Sequence, residues 1–175
     1  SNKFNCQIIC INTKKKINLL KKINNSYFLT ETNKENLHFV LEILKKFKIK
    51  KNLLIKTIQN FKGLKYRQQI IFKKKNLTII NDSKSTSFSS SVGLLKENQN
   101  IYWLLGGIYK KGDNLILQKK HFHKIKAFIY GKEKSFFNKK LQGKIRFKNF
   151  NHLKDALEEI FTIIKKEKFV DKTIL

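Results

Sequence analysis

The sequence contains no methionine and no proline. With no methionine, no initiator is visible: either one was removed ahead of Ser1, or the chain is a piece of a longer one. Two cysteines, Cys6 and Cys10, are too few for a disulfide scaffold or a four-cysteine zinc site. They suit a reducing, cytoplasmic setting. No apolar run approaches the roughly 18 residues that a membrane span needs. The start is polar from Ser1 to Asn5 with only a short apolar stretch after it, which is not the build of a signal peptide. A G-x-x-x-x-G-K-[ST] phosphate loop is also missing, since Gly131-Lys132 and Gly143-Lys144 lack the upstream glycine and the hydroxyl. No G-x-S-x-G nucleophile turn occurs. Alanine is confined to Ala127 and Ala156, and arginine to Arg67 and Arg146.

What remains is enough for a folded core. The chain has 175 residues, 41% of them hydrophobic and 29% charged. That suits one domain, or one domain and part of a second, and argues against disorder. The net charge of +27 comes almost entirely from lysine. A charge of that size can bind phosphate backbones through counterion release. Here, though, lysine rises together with Ile, Asn and Phe while Ala, Pro and Arg are scarce, the signature of AT-rich codons. The lysines also occur in every segment rather than on one stripe. The expectation is a solvated surface rather than a nucleic-acid site. No nucleic-acid or membrane partner is expected, and the chain is expected to be a monomer.

Apolar runs alternate with helical patterns. Cys6–Ile11 reads as a buried strand that places Cys6 and Cys10 on one face, Ile17–Ile23 as a short helix, and Tyr27–Thr30 as a strand. T-N-K-E at Thr32–Glu35 is a capping-box pattern. Leu37, Val40, Leu41, Leu44 and Phe47 then follow at helical spacing. A second helix, Leu53–Phe61, ends near Gly63, a plausible C-cap. Gln69–Phe72 and Leu77–Ile80 predict a hairpin. A Ser-rich turn over 81–91 leads into a helix with Val92 and Leu95. Ile101–Leu105 predicts a strand closed by Gly106-Gly107, and Leu115–Lys120 a helix. Ile125–Tyr130 is a strand, Phe136 marks a short helix, and Ile145–Phe147 is another strand. Leu153, Ala156, Leu157, Ile160, Phe161 and Ile164 form an amphipathic helix, and a strand begins at Thr173. This alternation predicts an α/β fold: a mostly parallel sheet with helices on both faces. A domain boundary near Gly63 to Arg67 is expected, with both chain ends looking like those of a fragment.

Ligands of such sheets bind beyond the carboxyl ends of the strands. Two turns fall there. N-D-S-K-S-T, Asn81–Thr86, offers a carboxylate, an ammonium, three hydroxyls and a following helix start with free backbone N–H groups that attract anions. L-L-G-G-I-Y-K-K-G, Leu104–Gly112, offers close backbone approach at its glycines and a cation at Lys110 or Lys111. Each turn also has a purely structural reading, since Ser and Asp cap helices and Gly-Gly ends strands without any catalytic purpose. His121 and His123 could ligate a metal, but they have no partner cluster and read as solvated.

In combination, F-K-G-L-K-Y-R (Phe61–Arg67), I-I-N-D-S-K-S-T (Ile79–Thr86) and Y-W-L-L-G-G-I-Y-K-K-G (Tyr102–Gly112) resemble the Mur ligase family in its D-glutamate-adding branch. The resemblance runs from about Thr30 to the C-terminus. The D-S-K-x-T turn separates this branch from relatives that add other amino acids. Two motifs depart from the family pattern. E-T-N-K-E-N keeps Asn33 and Asn36 but has Glu31 and Thr32 where the family has Gly and His, and Tyr66-Arg67 stands for His-Arg.

The resemblance implies that residues 1–64 are the C-terminal part of the central ATP-binding domain. It makes 65–175 the Rossmann-like, glutamate-binding C-terminal domain, incomplete at its end, with a hinge near Gly63. It implies ATP-driven amide formation through an acyl phosphate, with UDP-N-acetylmuramoyl-L-alanine and D-glutamate as substrates. Mg²⁺ would be held mostly by residues outside this chain, so none of its own residues is assigned to a metal. Arg67 and Lys84 would be catalytic. Asn33, Asn36, Arg67 and Asp82 would contact ATP, and Lys84, Thr86 and Lys110 would contact D-glutamate. Arg67, Asp82 and Lys110 are therefore expected around one hollow. The competing readings are another amino-acid-adding ligase of the family, a basic nucleic-acid-binding α/β module, and a non-catalytic α/β interaction domain.

Overall fold

A computed structural model describes residues 8–167 and 171–175. The chain divides into two compact units, one reaching to Lys62 and the other formed by Gly63–Leu175.

The first unit is helical. Short 3₁₀ turns at Asn18–Lys22 and Ser26–Leu29 precede α1 (Glu31–Leu44) and α2 (Lys51–Asn60). Phe28, Leu37 and Ile58 form its small core. The expected strand at Tyr27–Thr30 is a helical turn instead. The Asn25 side chain accepts from the Tyr27 backbone N–H at 2.9 Å, which starts a turn rather than an extended run. The Asn25 amide also donates to the carbonyls of Ile58 (2.7 Å) and Phe61 (2.8 Å), satisfying the open end of α2. Helix α1 begins two residues earlier than the capping-box pattern suggests. Thr30 is the cap, its hydroxyl accepting from the Asn33 N–H at 3.3 Å, and Glu31 falls in the first turn. Val40 and Phe47, which the spacing puts on one helix face with Leu37, are 46% and 60% exposed. The start of the predicted first strand, Cys6 and Gln7, lies outside the described residues. Ile8–Ile11 is irregular, and Cys10 is exposed rather than in a core. Among the described residues, every strand belongs to the second unit, so this apolar run has nothing to pair with.

In the second unit, β1 (Gln69–Lys74) and β2 (Leu77–Asn81) form the predicted antiparallel hairpin, with Lys75 left-handed at φ 27° in its turn. Strands β3 (Ile101–Leu105), β4 (Ile125–Tyr130), β5 (Arg146–Phe150) and β6 (Lys172–Ile174) complete a six-stranded sheet of order β1-β2-β6-β3-β4-β5. All pairings except β1–β2 are parallel. Alternation sorts side chains to the two faces. Ile101, Trp103, Ile125, Ala127 and Ile129 join the core built with α3 (Phe88–Glu97) and α4 (Lys134–Leu141). Tyr102, Phe128 and Ile174 join the core built with Ala156 and Ile160 of α5 (Leu153–Lys166). The sheet is therefore covered on both sides, as expected for α/β alternation.

Leu115–Lys120 is not the expected helix. Leu115 and Leu117 are buried while Ile116 between them is 80% exposed, a two-residue period that suits extended chain laid on a core. The helical turn comes later, at Lys119–Lys124.

One polar cluster ties β3, β4 and the end of α5 together. The Tyr102 hydroxyl donates to Glu167, and Lys126 Nζ lies 2.9 Å from the other Glu167 oxygen. The hydrogen bond from Lys126, then that from Tyr102, hold the Glu167 carboxyl below the usual carboxylate range, against an opposing effect of burial. A carboxyl with a depressed folded-state pKa adds stability above its unfolded-state pKa, and that stability is lost as pH falls through the folded value. The Glu167→Gln protein is therefore expected to be less stable at neutral pH and to lose less of its stability on acidification below the ordinary carboxylate range. Urea unfolding followed from pH 7 to 3 checks this; parallel curves for the two proteins would reject it.

Candidate functional site

A cavity of about 390 Å³ opens at the carboxyl ends of the parallel strands of the second unit. The last residue of β2 and the one after it (Asn81, Asp82), the last residue of β3 and the one after it (Leu105, Gly106), and the last residue of β4 (Tyr130) help form its rim and walls. β2 and β3 run parallel on either side of β6, so both polar turns found in the sequence emerge at the same edge of the sheet. That edge is where open α/β sheets bind ligands.

The Asp82 turn is stiffened by its own carboxylate. One Asp82 oxygen accepts from the Gln68 N–H at 3.0 Å, and the other accepts from the Ser85 hydroxyl. The Lys84 N–H donates to the Tyr66 carbonyl at 3.0 Å. These bonds fasten the loop 64–68 to the turn 82–85. In that loop Tyr66 (φ 65°) and Gln68 (φ 46°) hold left-handed conformations, unusual for residues with side chains. Arg67 lies between them.

Of the residues singled out in the sequence, Asp82, Thr86 and Lys110 line the cavity. Arg67 and Lys84 do not. Both are exposed, and the side chain of neither makes a hydrogen bond or ion pair among the described residues. The expected gathering of guanidinium, carboxylate and ammonium around one hollow therefore holds for Asp82 and Lys110. Arg67 is tied to the Asp82 turn through backbone bonds while its side chain stays off the cavity wall. Asn33 and Asn36 belong to the first unit: Asn33 is buried and donates to the Tyr27 carbonyl at 2.7 Å, and Asn36 is exposed on α1.

The start of α3 also differs from expectation. Its first N–H, that of Phe88, is not free: it donates at 2.7 Å to Asp113, which reaches in from the loop after β3. Ser87, at the cap position, makes no side-chain cap bond and instead shares hydrogen bonds with Ser89 and Ser90.

Gly106 is needed for shape. A Cβ placed there would stand 2.5 Å from the Tyr130 ring, so glycine lets the end of β3 pass under this ring without displacing it. Tyr109 stacks on Phe136 with centroids 4.1 Å apart, anchoring the far side of the loop. Sequence reading passed over Tyr130 and Asp113. Tyr130 carried a usable signal, because it ends a strand just before Gly131, at the edge where parallel strands place functional side chains. Asp113 sits one residue beyond the motif that was read. The described residues contain no group of three or more His, Cys, Asp or Glu side chains able to hold a metal, and no helix among them is long and apolar enough to cross a membrane.

No family model matches the sequence. The chain is 35% identical over 132 residues to UDP-N-acetylmuramoylalanine–D-glutamate ligase of Francisella tularensis subsp. tularensis (strain FSC 198), covering 73% of the chain and 32% of the relative. The ligase of the same name from subsp. mediasiatica (strain FSC147) is 36% identical over the same coverage. The chain thus spans about a third of the length of the curated relatives it matches. Among solved structures, it shares its fold with MurF from Acinetobacter baumannii, with a TM-score of 0.61 and 17% identity over 83% of the chain and 34% of that protein. It also shares its fold with the UDP-N-acetylmuramate-alanine ligase MurC from Thermotoga maritima, with a TM-score of 0.56 and 16% identity over the same coverage. By its sequence similarity to UDP-N-acetylmuramoylalanine–D-glutamate ligases, this chain belongs to the Mur ligase family.

Proposed function

We propose that this chain carries the D-glutamate-binding part of a cytoplasmic, ATP-dependent ligase that joins D-glutamate to UDP-N-acetylmuramoyl-L-alanine. The observation that carries the reading is the cavity at the sheet edge lined together by Asp82, Thr86 and Lys110. D-Glutamate brings two carboxylates, so its site needs cations and hydroxyl donors. Lys110 supplies a cation and Thr86 a hydroxyl on the cavity wall, with Lys84 exposed on the same turn. In the reaction the substrate carboxylate takes the γ-phosphoryl group of ATP, releasing ADP and leaving an acyl phosphate. The amine of D-glutamate then attacks the acyl carbon, and phosphate leaves from the tetrahedral intermediate.

Within the second unit, Arg67, whose side chain pairs with no group among the described residues, is a cation suited to charge on the migrating phosphoryl oxygens. Asp82 holds the loop that carries it, through the Gln68 N–H. Holding the amine in line with the acyl carbon is proximity catalysis, worth several kcal/mol. In the first unit, Asn33 and Asn36 are the proposed adenine contacts. The described residues offer no donor cluster for Mg²⁺, and no step is assigned to a metal held by this chain.

Two measurements test the reading. Titration of the ¹⁵N-labelled chain with D-glutamate should shift the amides of Asp82, Thr86 and Lys110, with L-glutamate weaker. No response up to about 10 mM, the range of weak ligand binding, would sink it. Mixed with UDP-N-acetylmuramoyl-L-alanine, D-glutamate and ATP, the chain alone should form no product, because it has no phosphate-binding loop.

A further inference from the structure

We propose that Asp113 is the positioning residue for Lys110. The loop between β3 and the extended run at Leu115 carries Lys110, and its tip holds Gly107 and Gly112 in left-handed conformations (φ 94° and 80°). Ile108 is 92% exposed, so apolar burial does little to hold this part of the loop. Two bonds close it onto the site. The Asp113 N–H donates to the Lys110 carbonyl at 3.0 Å, making a tight turn of residues 110–113. The Asp113 carboxylate then accepts from the Phe88 N–H at 2.7 Å, docking that turn on the first residue of α3. A carboxylate at the start of a helix meets both an unsatisfied N–H and the positive end of the helix dipole, which makes this a strong clasp. Both Asp113 and Lys110 line the cavity.

Asp113 acts through geometry, and its charge has a second consequence. Because it takes the first N–H of α3 and sets a negative charge at that helix start, a substrate carboxylate is disfavoured there, and the cation on the cavity wall is Lys110. A substrate carboxylate is thereby directed to the lysine rather than to the helix. What Lys110 binds rests on the function proposed above; that Asp113 holds it does not.

The test separates the two. In the ¹⁵N-labelled chain, Asp113→Ala should release the loop, lowering the order parameters of the Lys110 and Lys111 amides and speeding hydrogen exchange at the Phe88 amide. Asp113→Asn keeps an oxygen acceptor and should restore both. D-Glutamate binding should weaken about tenfold in Asp113→Ala, of the order that weakening one charged hydrogen bond costs, and recover in Asp113→Asn. The double variant Asp113→Ala/Lys110→Ala should bind no more weakly than Lys110→Ala alone, since a positioning residue has nothing left to position. Unchanged order parameters at Lys110 in a folded Asp113→Ala protein would overturn the proposal, as would additive losses in the double variant. Loss of order at Lys110 in Asp113→Ala, together with a wild-type chain that binds no D-glutamate, would leave Asp113 in its role and reject the glutamate site instead. Should Asp113→Ala fail to fold, an Asp113→Asn protein whose Phe88 amide exchanges as fast as an unstructured one would equally refute the clasp.

Discussion

On the function proposed above, in an active protein that contains this chain, Lys110→Ala is expected to raise the KM for D-glutamate by roughly thirtyfold, the equivalent of losing one charged hydrogen bond of about 2 kcal/mol, while leaving the KM for ATP within about twofold. Arg67→Ala should do the reverse, acting on ATP use and on kcat. The asymmetry follows from placement. Lys110 lines the cavity, whereas Arg67 stands outside its wall on a loop tied to the Asp82 turn. Steady-state kinetics with each substrate varied in turn would show the crossover. Equal losses for both substrates in both variants would mean that the two cations do not divide the work as assigned.

Gly106→Ala is expected to lower stability by about 1–3 kcal/mol, as forced overpacking does, and to weaken D-glutamate binding with it. The new Cβ would lie 2.5 Å from the Tyr130 ring, which cannot stay where it is. The backbone at Gly106 is not left-handed, so the penalty comes from the ring and not from strain in φ. A paired change makes this specific. Tyr130→Ala removes the obstacle, so Gly106→Ala should cost almost nothing in a Tyr130→Ala background, while Tyr130→Phe, which keeps the ring, should give no relief. Thermal unfolding of the single and double variants measures this, and a Gly106→Ala cost that persists without the ring would show that something other than Tyr130 sets it.

Much of the second unit can be read from local pattern. The β1–β2 hairpin, strands β3 and β4 and the stripe of Ala156 and Ile160 on α5 all follow from periodicity within a dozen residues. So do the two turns that carry Asp82 and Lys110, because they end apolar runs. The first unit is less legible. There the cap falls on Thr30 rather than Thr32, and a turn set by Asn25 replaces a strand, since side-chain bonds to the backbone outweigh weak β propensity.

Other features exist only once distant segments meet. β6 lies between β2 and β3, its neighbour Leu175 accepting from the Leu104 N–H at 2.7 Å and donating to the Tyr102 carbonyl at 3.0 Å. Asp113 caps a helix that starts 25 residues earlier in the chain. Arg67 is held beside Asp82 yet kept off the cavity wall. Composition and period fix which stretches become helix or strand, because those preferences act between near neighbours. Which strand slots beside which, and which side chain closes on a remote amide, depends on how the returning chain satisfies its backbone groups and buries its apolar faces at the same time, and that balance is struck only in the folded sheet.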